Sequence, residues 1–218
     1  MSMPTTPLSQ RDPRWSKVML GTTGRTIGSD GCLITALTSK LQYHGLQVMP
    51  QDTVGRLRDK GGIAQSGDTS WPAITAAFPS VFFRWRWSTT LEERGNVAYR
   101  KAPEVAYANI LTLLALGQPT LIRTETRGLG HWVLAVDGEG TDDLLIMDPW
   151  DGMMRRFSEK YGAVKENLFA YAVLIGSPNG SADHVPHETV KDIVLNAGIA
   201  LHYAARGDDK NQIVDSLL

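Results

Sequence analysis

The chain has 218 residues, 42% apolar and 21% charged, which is enough for one well-filled core with a small appendage. Its formal net charge of -1, with no basic run, leaves no field that would gather nucleic acid or an anionic membrane, so neither is expected as a partner. A single cysteine permits no internal disulfide, and Cys32 is therefore either core filler or chemistry.

The start of the chain, Met1 to Ser9, is polar where a secretory signal needs a basic start and an apolar stretch. The most apolar helical stretch, Ile110 to Leu116, is far short of the roughly 20 residues that cross a bilayer. The expectation is a soluble protein, cytoplasmic or virion-associated, without signal peptide or transmembrane segment. After an irregular arm with Pro4, Pro7 and Pro13 and a loop from Gly21 to Gly28, the first helical pattern begins at Ser29. Ser29 or Asp30 is the expected cap, Leu33, Ile34, Leu37 and Leu41 recur at helical spacing, and Gly45 is the stop. A second helix is expected from Pro50 to the Gly61-Gly62 pair and a short third from Pro72 to Phe78, the three forming one lobe.

Val81 to Trp87 reads as a strand that places Phe83, Trp85 and Trp87 on one face, more in the manner of core than of a substrate groove. Pro103 to Leu116 reads as a helix closed by Gly117. Short β segments follow at Thr120 to Thr126, His131 to Asp137, Leu144 to Asp148, Met153 to Phe157 and Leu168 to Ile175, most economically one antiparallel sheet. The fold class is thus α+β, with a main domain over 1–176. Gly176 to Asp183 reads as a linker, and the remainder to residue 218 as a helical appendage that offers a possible docking element for an assembly partner.

Cys32 stands in the first turn of the first long helix, where unpaired amides and the helix dipole favour a thiolate. His131 and Asp148 open and close two strands joined by Gly138-Glu139-Gly140-Thr141-Asp142, a hairpin reversal. Symmetric pairing about Glu139 and Gly140 sets His131 directly opposite Asp148, although it also sets Asp137 against Asp142, a like-charge pair. A thiol, a base for its proton and a carboxylate to fix the base's tautomer are the parts of covalent acyl transfer. No cofactor is implied and no metal is assigned. The alternation Asp137, Glu139, Thr141, Asp143 has Asp142 where a calcium loop wants glycine, and the pair His184 and His187 reads as polar surface.

The strings Leu8-Ser9-Gln10-Arg11-Asp12-Pro13-Arg14-Trp15, Thr26 to Leu37 around Cys32, Gly130-His131-Trp132-Val133 and Asp148-Pro149-Trp150 together resemble the double-glycine (bacteriocin-leader) peptidase-like branch of the papain-like cysteine peptidases, over roughly Leu8 to Ile175. The resemblance implies a papain-like fold with the cysteine on the central helix, the histidine and carboxylate on neighbouring strands, and thiol attack on an amide carbonyl. It also departs from the family pattern. No glutamine stands just before Cys32 as an oxyanion donor, and Gln10, which matches the family's N-terminal glutamine, is the residue left to fold back into that role beside the Cys32 amide.

The expected function is a cysteine peptidase or amidase acting on a peptide or peptidoglycan amide through a thioester, with Cys32, His131, Asp148 and Gln10 as its site. The alternatives are a non-catalytic assembly module of the same fold, such as a phage virion component, and a transglutaminase-like acyltransferase.

Overall fold

A computed structural model of the chain describes residues 7–88, 103–115, 117–126, 128–138 and 142–176, with 82–88, 103–105, 126 and 176 described by backbone alone. The expected linker and appendage beyond Gly176 lie outside the described residues, as do Glu139, Thr141, His184 and His187.

The helical part is α1 (Ile27–Asp30), α2 (Cys32–Tyr43), α3 (Pro50–Asp59) and α4 (Trp71–Ala77), followed by β1 (Val81–Ser88) and α5 (Pro103–Ala115). The chain then runs β2 (Thr120–Thr126), β3 (Leu129–Asp137), β4 (Leu145–Asp148), β5 (Met153–Arg156), α6 (Ser158–Tyr161), α7 (Val164–Asn167) and β6 (Ala170–Gly176). The strands form one six-stranded antiparallel sheet in the order β1-β6-β2-β3-β4-β5. The α+β class and antiparallel sheet are as the sequence predicts, and α6 and α7 are additions, each too short for a helical period to show.

Both faces of the sheet are covered. Leu121, Leu134, Met147 and Leu174 pack with Ile34, Leu37, Leu41, Leu57 and Ile74 of the first helices, whereas their strand neighbours Ile122, Val133, Ile146 and Val173 pack with Ala106, Ile110 and Leu113 of α5. Side chains of successive strand residues point to opposite faces, so a sheet clad on both sides needs apolar runs such as Trp132 to Val136 rather than strict alternation.

Three local expectations need correction. Neither Ser29 nor Asp30 caps the cysteine helix. Ser29 instead closes a capping box with Thr26 at the start of α1, and Gly31 stands between α1 and α2 as the N-cap of the latter. In β1 the pairing with β6 slips between Phe83 and Trp85, which interrupts the regular backbone ladder that the expected alternation assumed. The β3–β4 hairpin is also slipped: Leu134 faces Met147 and Ala135 faces Ile146, and an irregularity then brings Asp137 opposite Leu145. Asp137 therefore faces an apolar residue in place of Asp142, which removes the like-charge pair that symmetric pairing would have imposed.

Lys40 is an oddity of α2. It is 1% exposed, and its Nζ donates to the Pro119 carbonyl. Burial pulls its pKa down to about 7, and burial together with the Lys40 charge holds His44, one turn on, down to about 3. A base whose folded pKa is depressed weakens the fold most where it must stay protonated, and this cost fades as pH rises. The stability of the wild type relative to Lys40→Met, measured by urea denaturation, should therefore increase from pH about 7 toward about 10.5. A difference that is flat across that window would contradict a buried ammonium held only by a neutral carbonyl among the described residues.

Gly31 sets the turn that delivers Cys32. A Cβ there would stand 2.5 Å from the Ile27 carbonyl oxygen and 2.6 Å from its Cα, both backbone atoms that cannot step aside. Gly31→Ala should cost about 1–3 kcal/mol by overpacking, read as a lowered urea midpoint. Unchanged stability would show that the α1–α2 junction is not close-packed.

Candidate active site

Asp148 ends β4 and is wholly buried, at 0% exposure. A buried carboxylate persists only when its oxygens are satisfied. Oδ1 accepts from the Trp150 amide at 2.9 Å and lies 2.9 Å from His131 Nε2, while Oδ2 accepts from the Tyr161 hydroxyl at 2.7 Å and from Lys160 Nζ. Burial works to raise its pKa, but the hydrogen bonds from His131, Lys160, Tyr161 and the Trp150 amide outweigh burial and hold it well below the usual carboxylate range. Tyr161, buried and tied to that charge, is pushed up.

His131 lies on β3, paired with Thr124 of β2 but beyond the last β3–β4 pair, Leu134 with Met147. Extending that register places His131 diagonal to Asp148 instead of directly opposite, but a two-residue offset preserves parity, so both side chains stay on one face. The longer imidazole spans the diagonal. Asp137, the competing carboxylate, turns away to accept from the Gly138 amide at 2.7 Å. The ring sits edge-on to Trp150, 6.4 Å between centroids, and tilted against Tyr161 at 6.0 Å.

With Nε2 engaged by Asp148, Nδ1 is the ring nitrogen left for the thiol. Cys32, half-buried at the start of α2, lines the same cleft as His131. Burial alone would lower the imidazole's pKa, but its hydrogen bond to Asp148 and the influence of the Cys32 thiol prevail and raise it to about 9. The helix that packs on one face of the sheet thus delivers its first residue to the cleft beside a histidine whose same-face strand companions, Val133 and Ala135, belong to the other core.

Gln10, from the N-terminal arm, joins them. It is 1% exposed, its amide N–H donates to the Pro149 carbonyl at 2.7 Å, and its Nε2 donates to the Gly28 carbonyl at 3.0 Å. The second Nε2 hydrogen has no partner among the described residues. The arm is secured further by the Trp15 indole, which donates to the Ser9 carbonyl at 2.8 Å, and by the Arg11 guanidinium, which covers the Trp150 ring at 3.4 Å from its centroid. Gly152, at φ +73°, has Ser9 backbone and side-chain atoms 3.1 Å from where a Cβ would stand, so only glycine lets the arm lie against this turn.

These residues meet in a cleft of about 810 Å³. Leu20, Arg25, Asp30, Gly67 and Asp68 line it from the helical side, and Arg123, Leu129, Trp132, Trp150 and Lys160 from the sheet side, with Gln10, Cys32 and His131 between them. Every predicted site residue is therefore in one place: Gln10, Cys32 and His131 line the cleft and Asp148 stands behind the histidine. Sequence reasoning missed Lys160, Tyr161 and Arg123. Lys160 and Tyr161 sit on a four-residue helix with no pattern of its own, and no local signal ties them to Asp148. Among the described residues no group of three or more His, Cys, Asp and Glu side chains is placed to hold a metal ion, and no helix is long and apolar enough to cross a membrane. No protein-family model matches the chain, and no curated protein matches it.

A histidine whose folded pKa is raised from 6.5 to about 9 contributes stability that is complete below about 6.5 and is lost as pH rises through about 9. An NMR titration of the His131 ring should give a midpoint near 9, and Asp148→Asn should move it to lower pH by removing the charged partner. A wild-type midpoint near the ordinary 6.5, unmoved by the substitution, would contradict the buried pair.

Proposed function

We propose that the chain is a cysteine peptidase or amidase of papain-like architecture, with Cys32 as nucleophile, His131 as general base and acid, Asp148 as the orienting carboxylate and Gln10 as an oxyanion donor. The observation that supports this reading is the placing of one imidazole between a wholly buried, multiply bonded carboxylate and the chain's sole thiol, at the wall of a cleft. Burying Asp148 with these donors is costly as a way to hold a surface histidine, and it makes sense where the ring must keep one orientation.

The sequence of steps follows from the groups present. The Cys32 thiol gives its proton to His131, its sulfur attacks the amide carbonyl carbon as the C=O π bond opens, and the carbonyl oxygen takes up negative charge toward Gln10 Nε2 and the Cys32 amide. The tetrahedral adduct collapses, the C–N bond breaks, and the leaving amine departs with the proton from His131. Water then gives its proton to His131 and attacks the thioester, which releases a carboxylic acid and restores the thiol and imidazole. Asp148 stays ionised throughout and keeps Nε2 protonated, so that Nδ1 faces sulfur.

The acyl substrate is a peptide, drawn either from a protein or from a peptidoglycan stem. The double-glycine peptidase-like resemblance favours the first, and a virion-associated source would favour the second. If an amine replaced water as the acceptor, the same parts would perform transglutaminase-like transfer.

Cys32→Ala should fold normally, because a half-buried residue at a helix start leaves little cavity, and should release no new amino groups from an unstructured protein substrate or from peptidoglycan stem peptides. Cys32→Ser should be nearly inactive. Gln10→Ala should lower kcat by about 100- to 1000-fold with a smaller change in KM. Wild-type turnover in Cys32→Ala would remove the nucleophile assignment, and a cysteine that reacts with iodoacetamide at the same rate with and without His131 would favour the non-catalytic module.

A further inference from the structure

Among the described residues, three cationic side chains besides His131 line the cleft, and two of them are already neutralised. Arg25 is held by Asp30 at 3.1 Å and Asp68 at 2.9 Å. Lys160 is bound by Asp148, with Asp151 at 3.8 Å. Arg123 differs. Its acidic partner is Glu125, 3.5 Å from one terminal nitrogen, too far for a well-formed charge-assisted bond, and the side chain is only 25% exposed. A guanidinium carries five N–H donors in a planar fork shaped for a carboxylate, and among the described residues most of that fork has no partner.

Gly130 leaves room for it. A Cβ at residue 130 would lie 2.3 Å from one Arg123 terminal nitrogen and 2.4 Å from Nε, so the guanidinium rests directly against the backbone of the residue preceding His131. Gly130 has no positive φ that would require glycine, so its small size here serves the guanidinium. Arg123 and Trp132 are ladder partners on β2 and β3, and both line the cleft.

We propose that Arg123 is a specificity residue that binds a carboxylate on the leaving-group half of the substrate. The inference rests on the hydrolase reading above. The half of the substrate beside His131 is the one that receives the imidazole's proton, which is the departing amine, and Arg123 lies against the residue next to that histidine. The carboxylate belongs either to the α-carboxyl of a C-terminal residue released by cleavage or to the side chain of an acidic residue just after the scissile bond.

The test uses haloacetyl probes that carry these groups and alkylate Cys32 by displacement of iodide. N-iodoacetyl-alanine supplies an α-carboxylate, N-iodoacetyl-glutamic acid α-amide supplies a side-chain carboxylate, and N-iodoacetyl-alaninamide is the neutral control. At least one acidic probe should alkylate the wild type about tenfold faster than the control. Which acidic probe it is distinguishes a terminal from an internal carboxylate. Arg123→Gln should bring that ratio close to 1, Arg123→Lys should retain part of it, and Gly130→Ala should reduce it by displacing the guanidinium with Arg123 itself intact. Thermal melts of each variant establish that it is folded. Equal rates for acidic and neutral probes in the wild type, or an acidic preference that survives Arg123→Gln, would overturn the inference while leaving the hydrolase reading in place. Failure of all three probes to modify Cys32 would remove both.

Discussion

A carboxylate removed from water costs several kcal/mol unless its oxygens are satisfied, and this constraint on Asp148 organises the molecule around the cleft. Its donors come from separate parts of the chain: the imidazole from β3, the amide from the turn after β4, and the ammonium and phenol from α6. Each charge-assisted bond is worth about 1.5–3 kcal/mol, so the four together are of the size needed to offset the desolvation. The short helix α6 is thus more than a connection, since it brings two of the donors.

The N-terminal arm is held to the same turn. Gln10 bonds Pro149, Ser9 packs on Gly152, and Arg11 covers Trp150, so the segment Asp148-Pro149-Trp150 both anchors the imidazole and docks the arm. The arm in turn brings Gln10 to the Gly28 carbonyl, in the turn of chain that leads into Cys32. A glutamine more than twenty residues before the nucleophile in sequence therefore lines the same cleft, although none stands immediately before it.

Much of this arrangement was legible in the sequence because it depends on local period and punctuation. Leu37 and Leu41 with Gly45 mark α2, and Pro50 with Gly61 marks α3. The His131 and Asp148 pairing followed from hairpin parity, which a two-residue slip leaves intact. What was not legible depends on pairing and tertiary contact. The slips at Arg84 and Val136 are set by partner strands, and the Gly31 cap by the close approach of Ile27. The bonds of Lys160 and Tyr161 to Asp148, and the seat of Arg123 on Gly130, join residues that no motif connects.

The central claim is a covalent one, that Cys32 adds to a carbonyl whose oxygen is received by Gln10 and the Cys32 amide. The most direct measurement is a crystal structure of the protein soaked with a peptide aldehyde. The account predicts a hemithioacetal on Cys32, its oxygen within about 3 Å of Gln10 Nε2 and of the Cys32 nitrogen, and His131 still bonded to Asp148. An unmodified Cys32 with the aldehyde bound elsewhere, or an adduct whose oxygen points away from Gln10 into solvent, would contradict it.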